Sequence, residues 1–271
     1  RLYFRIRAGG CKKHRTGQKQ TYGNEKTTEN GRHHEVRKGT EYMCQMRHFY
    51  WAQEVVELLQ NEGLSADAQA MSAYMKGKFS FLGLKKTPRA ALTKPLFERA
   101  NLPSKVELQS NCEALWALPE REYQMVALDL IRKFERQLTP EDLPWIKALI
   151  LKKSWWDSVD FLATHAVGSL LERYPTQIRP ELEIWIHDPN MWLNRSAIIA
   201  QILYRKNLDV VFLTAAILPH MPSKEFFLRK AIGWALRSHA ARDPQWVLDF
   251  VEAHRAELSG LSIREALKHF R

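Results

Sequence analysis

PEREYQMVALDLIRKFERQL, residues 119–138, decides how the chain is read. Its apolar residues are Tyr123, Val126, Ala127, Leu130, Ile131, Phe134 and Leu138, at i, i+3, i+4, i+7, i+8, i+11 and i+15. That spacing puts them all on one face of a 3.6-residue helix. Pro119 suits a first helical turn, and Thr139-Pro140 closes this helix and opens the next. The same signature runs outward to both sides. Helices are expected near 49–60, 65–79, 88–100, 105–117, 140–152, 155–173, 177–187, 190–206, 208–219, 223–241, 244–257 and 262–270. Prolines fall almost entirely at the joints. No segment alternates polar and apolar residues between turn signals, so no strand is expected.

The long helices begin near 119, 155, 190 and 223, about 35 residues apart, each followed by a shorter one. A helix-pair period of that length predicts an all-α fold, an α-solenoid of HEAT-like antiparallel helix pairs. A plain helical bundle is the alternative. A solenoid would offer one concave face built from successive helices, and that face is where a partner is expected.

Composition divides the chain near residue 46. The formal charge is +11, yet residues 1–45 carry 11 Lys+Arg against 4 Asp+Glu, whereas 46–271 carry 30 against 26. All nine Trp lie in the second part. The expected organisation is therefore a basic extension over 1–45, disordered or not part of the native chain, and one domain over 46–271. A basic arm that binds nucleic acid is the other reading of 1–45. The overall content, 45% apolar and 26% charged, excludes disorder throughout. No apolar run approaches the roughly 18–20 residues that span a bilayer, so no membrane segment is expected. The start RLYFRIRAGG lacks the pattern of a secretory signal. Cys11, Cys44 and Cys112 are too scattered for a disulfide framework or a zinc site, and point to a reducing compartment. No glycine-rich phosphate loop, HExxH or Cys/His cluster is present, so neither a cofactor nor a metal is expected.

Some side chains do not fit a packing stripe. In 152–174, Trp155, Val159, Leu162, Ala166 and Leu170 form the stripe, and Trp156 and Asp160 share a different face. An Asp in the first turns is favoured by the helix dipole in any case. The segment 190–206 is apolar nearly all round, which marks a central helix, and it contains Arg195. A buried Arg needs an anion. That anion is either an internal carboxylate such as Asp160 or an external phosphate. In 224–240, Trp234 and Arg237 lie three apart off the stripe, and Gly233 allows close backbone approach. Asp160 and Arg195 are one repeat apart, and Trp234 follows 39 residues later. Stacked in register, Trp156, Asp160, Arg195 and Trp234 would line up across one face.

Residues 46–270 resemble the AlkD-like DNA alkylation repair glycosylases. The matching stretches are AYMKGKFSFLG (73–83), ALWALPEREYQMVALDL (114–130), KSWWDSVDFLA (153–163), MWLNRSAIIAQILYRK (191–206), SKEFFLRKAIGWALR (223–237) and SIREALKHF (262–270). The resemblance implies hydrolysis of the N-glycosidic bond of cationic N3- or N7-alkylated purines in double-stranded DNA. It implies that Asp160 is the catalytic carboxylate and that Trp156 and Trp234 pack against the lesion's deoxyribose. Arg195 and Arg237 would hold the phosphate backbone, and Tyr74 would touch the duplex. After Gly83 the sequence LKKTPRAAL departs from the family pattern, with Pro88 and one Arg where an earlier Pro and a pair of Arg are expected. A monomer acting in a bacterial cytoplasm, at the nucleoid, is the further expectation. Two other classes are kept beside the enzyme: a non-catalytic HEAT-like DNA-binding protein, and a scaffold for an acidic protein partner.

Overall fold

The computed structural model describes residues 50–270, and every structural statement below concerns those residues. The expectations for 1–45, and for Cys11 and Cys44, concern residues outside that range. The protein divides into two units, Arg1–Met43 and Cys44–Arg271; only the second is described.

The second unit is all-α. The helices are α1 Tyr50–Leu59, α2 Ser65–Tyr74, α3 Lys86–Thr93, α4 Leu108–Ala117, α5 Arg121–Phe134 and α6 Leu143–Leu151. Then come α7 Trp156–Phe161, a π-helical turn Leu162–Val167, and α8 Gly168–Arg173. The chain continues with α9 Pro175–Ile186, α10 Met191–Ile199, α11 Val210–Ile217, α12 Phe226–Ala240, α13 Pro244–Ala253 and α14 Gly260–Ala266. Among the described residues the β structure consists of an isolated parallel bridge between Ser80 and Glu120. No helix among them is long and apolar enough to cross a membrane.

The segment that opened the reading behaves as its period requires. Tyr123, Val126, Ala127, Leu130, Ile131, Phe134 and Leu138 are all buried. Each large apolar side chain so removed from water contributes about 1.5–3 kcal/mol. Several boundaries differ from expectation, each for a local reason. The helix expected over 65–79 ends at Tyr74 because Lys76 and Gly77 both take positive φ, 58° and 68°. The helix expected over 88–100 starts at Lys86 and tightens to a 3-10 turn over Lys94–Phe97, where Pro95 has no N–H to give. The helix expected over 190–206 ends at Ile199. There Gln201 exchanges two hydrogen bonds with the backbone of Asp209 (Nε2 to O 3.0 Å, and from N to Oε1 2.8 Å), which ties the chain into a turn.

The 35-residue period reappears as hydrogen bonds between helices. Trp116 donates to the Lys152 carbonyl, Arg121 to Asp157, Arg195 to Asp160, Tyr204 to the Gly168 carbonyl and Ser238 to the Ile202 carbonyl, all 35 or 36 residues apart. Segments one period apart are thus tied together at these five places. Two glycines permit close approaches between neighbouring segments here. A Cβ on Gly168 would sit 2.3 Å from the Ala200 carbonyl oxygen. One on Gly233 would sit 2.5 Å from the Glu265 Cβ and 2.8 Å from the Ser262 carbonyl oxygen, so α12 and α14 pack with almost no gap.

Candidate active site

The site is built on the start of α7. Trp155 precedes the helix in an extended conformation, φ −158° and ψ 161°, and Trp156 is its first residue. What fixes this entry is Arg121, wholly buried at the start of α5. Its Nη2 donates to Asp157 Oδ1 at 2.6 Å and to Ser158 Oγ at 2.7 Å. Its Nε donates to Asp157 Oδ2 at 3.1 Å, and its Nη1 to the Lys153 carbonyl at 3.0 Å. A planar fork satisfied on every nitrogen makes a rigid anchor for the first turn of α7.

The next residue, Glu122, is equally buried and serves the segment that follows Tyr74. Its Oε2 accepts from the Leu82 N–H at 2.9 Å, and its Oε1 from the Gly83 and Leu84 N–H at 2.9 and 3.0 Å. Three backbone donors offset the cost of burying the carboxylate. That segment reaches the site at two places. The exposed Tyr74 ring meets Trp156 edge-on, centroids 6.2 Å apart, and Lys78 Nζ lies 4.9 Å from the centre of the Trp155 ring. On α3, which follows Gly83, Arg89 is turned inward and pairs with Asp129 at 3.5 Å.

Beside Trp156 lies a pocket of about 270 Å³ that brings together Trp156, Asp160, Arg195, Trp234 and Arg237. Arg195 comes from α10, on which every residue from Trp192 to Ile199 is buried. It grips Asp160 with both prongs, Nε to Oδ1 and Nη2 to Oδ2, each 2.7 Å, and its Nη1 donates to the Phe227 carbonyl. Of the two readings left open for this Arg, an internal carboxylate and an external phosphate, the internal pairing is present, and all three nitrogens are engaged within the protein. Burial pushes the Asp160 carboxyl up from its usual range; the hydrogen bonds and charge of Arg195 pull against it, and Asp157 adds a smaller upward push.

Four residues not singled out from sequence complete the pocket: Phe226, Phe227, Lys230 and Glu265. Phe227 packs on Trp155 and Trp192, with ring centres 5.1 and 5.0 Å away, and so backs the wall that carries Trp156. Lys230 stands one turn before Trp234 and Arg237 three residues after it, a spacing that puts all three on one face of α12. That spacing was the available signal for Lys230. Glu265 arrives from α14, a tertiary neighbour with no local signal. It binds Lys230 Nζ at 2.8 Å through Oε1 and Arg237 Nη1 at 2.5 Å through Oε2. Among the described residues no group of three or more His, Cys, Asp or Glu side chains is placed to hold a metal.

A largely buried carboxylate held by an Arg, in a pocket lined also by two Trp and two further cations, is suited to a cationic centre attached to a phosphate backbone. Comparison with known proteins gives the class. The chain belongs to the DNA alkylation repair enzyme family, whose model matches residues 55–270. Among solved structures it is similar to "Predicted DNA alkylation repair enzyme from Enterococcus faecalis", with 34% identity and a TM-score of 0.71, covering 78% of this chain and 98% of that one. No curated protein matches. Its role is thus in the repair of alkylated DNA, with DNA as the partner.

Proposed function

We propose that the protein is a DNA glycosylase that hydrolyses the N-glycosidic bond of cationic N3- or N7-alkylated purines, of the 3-methyladenine and 7-methylguanine type, in duplex DNA. In this reading the helix pairs form a HEAT-like solenoid, and the protein acts as a monomer. The observation that carries the proposal is the Asp160 carboxylate fixed by Arg195 in a pocket between Trp156 and Trp234.

The chemistry follows from the leaving group. An N3- or N7-alkylated purine already carries a positive charge, so it departs without a general acid. The barrier lies in the oxocarbenium-like sugar. Asp160 stabilises that developing cation and orients or deprotonates the attacking water. The Trp156 and Trp234 faces add cation–π stabilisation of roughly 1–2 kcal/mol. Arg195 keeps the carboxylate aimed, and this leaves Arg237 and Lys230 as the cations for the phosphate backbone beside the lesion. Tyr74 would then meet the duplex, a reading supported by its exposure beside Trp156. The set favours cationic lesions over uracil and other neutral bases, whose departure needs protonation or stabilisation of the departing anion.

Incubating the protein with methylated duplex DNA and resolving the released bases by chromatography tests this. Release of 7-methylguanine or 3-methyladenine above the spontaneous rate is expected; its absence, with DNA bound, would favour the non-catalytic binding protein. A pH profile adds a second check. The working form is the carboxylate, and burial raises the Asp160 carboxyl. Release should therefore fall on acidification through a midpoint above the usual aspartate value. A single-turnover profile flat down to that usual value would count against Asp160 as the titrating group.

A further inference from the structure

Glu265 is an anomaly on a face meant for phosphate. It is a carboxylate that lines the same pocket as Asp160, and the fold goes to some length to put it there. The missing side chain of Gly233 lets α14 approach until the Glu265 Cβ occupies the space a Cβ on Gly233 would need. The cluster is one anion between two cations, with Lys230 and Arg237 both held at hydrogen-bond distance. Lys230, first, and then Arg237 hold the Glu265 carboxyl below its usual range, so it is charged at neutral pH. The bond from Arg237 to Glu265 uses Nη1. Its Nε and Nη2 are left as donors to an external anion, and Lys230 likewise has N–H groups to spare.

We infer that Glu265 is a specificity-determining residue: it lowers the affinity of this face for ordinary phosphate backbone and favours a cationic lesion whose sugar lies at the pocket beside Asp160. The inference rests on the glycosylase reading above. Phosphate contacts carry no information about damage, because every duplex offers the same phosphates. Cations that hold undamaged DNA help the search along the duplex but do not separate a rare lesion from its background. Glu265 occupies part of that cationic capacity, and its charge repels phosphate. The same charge attracts an alkylated purine, which carries a positive charge that its undamaged counterpart lacks. Both effects widen the gap between lesion and undamaged DNA. Glu265 also presets Arg237, so the donors that remain are oriented before the duplex arrives.

The test is E265Q, which keeps the shape and removes the charge. Binding of an undamaged duplex is followed by fluorescence anisotropy over a range of salt concentrations. Release from a duplex with one 7-methylguanine is then measured with undamaged duplex as competitor. E265Q should bind undamaged duplex roughly three- to tenfold more tightly, as expected for one unit charge removed near phosphate. The slope of log affinity against log salt should steepen by about one, the mark of one more phosphate contact. Undamaged competitor should suppress release at correspondingly lower concentration. E265D keeps the charge and should keep the wild-type slope. Unchanged or weaker binding in E265Q, or an equal steepening in E265D, would overturn the inference. If wild type releases no methylated base while E265Q still tightens binding, the glycosylase reading fails and the charge balance of this face stands.

Discussion

Asp160→Asn should reduce release of methylated purines by about 100-fold or more, the loss typical when one electrostatic stabiliser is removed from a reacting centre. The change is nearly isosteric. The amide oxygen can still accept from Arg195, so the pocket keeps one of its two 2.7 Å bonds. What disappears is the negative charge facing the sugar. DNA affinity should be kept or rise slightly, because Lys230 and Arg237, the cations proposed to face phosphate, are tied to Glu265 and not to Asp160, and one negative charge near the backbone is gone. Single-turnover base release and anisotropy binding on the same preparation separate the two effects. A variant that binds DNA and releases base at the wild-type rate would remove Asp160 from the mechanism. If binding collapsed with release, the carboxylate would instead be chiefly a structural partner of Arg195.

The second large effect concerns stability. Arg121→Ala should cost about 3–5 kcal/mol, since removing one partner of a buried pair leaves the other charge uncompensated. Asp157, little exposed, would lose two hydrogen bonds, and Ser158 Oγ and the Lys153 carbonyl one each. Urea unfolding followed by circular dichroism measures this. Arg121→Lys should fall between, because it keeps the charge and loses the fork. Base release should drop in both variants even where they are folded, since the first turn of α7 carries Trp156. A loss below about 1 kcal/mol, the value of an exposed pair, would mean that Asp157 is solvated when Arg121 is gone.

Arg121 also shows where sequence ceases to inform. The period of residues 119–138 was legible because burial of apolar side chains imposes it, and those side chains are buried. Arg121 and Glu122 sit in the same stretch and are fully buried too, but charged residues at a helix start look like ordinary solvated ones until their partners are known. Asp160, Trp156, Arg195 and Trp234 could be grouped from the 35-residue spacing and the family resemblance, and one pocket holds them. The choice of anion for Arg195 could not be read, because either choice fits the same local sequence. Glu265 depends on how closely α14 approaches Gly233, a distance that no pattern within 262–270 encodes.

The π-helical turn over Leu162–Val167 divides one rod into two independently phased halves. A wide turn of this kind amounts to one extra residue in a helix, and each residue rotates the chain by about 100°. Before the turn, orientation is set by the Arg121 anchor on Asp157 and Ser158. After it, orientation is set by Gly168 against Ala200 and by the Tyr204 hydroxyl on the Gly168 carbonyl. The Thr164 hydroxyl, donating to the Asp160 carbonyl at 2.8 Å, bridges the seam. The pocket end of the rod is thereby geared separately from its packing end. Deleting one residue from the seam would turn Trp156 and Asp160 by more than a quarter of a revolution relative to Gly168.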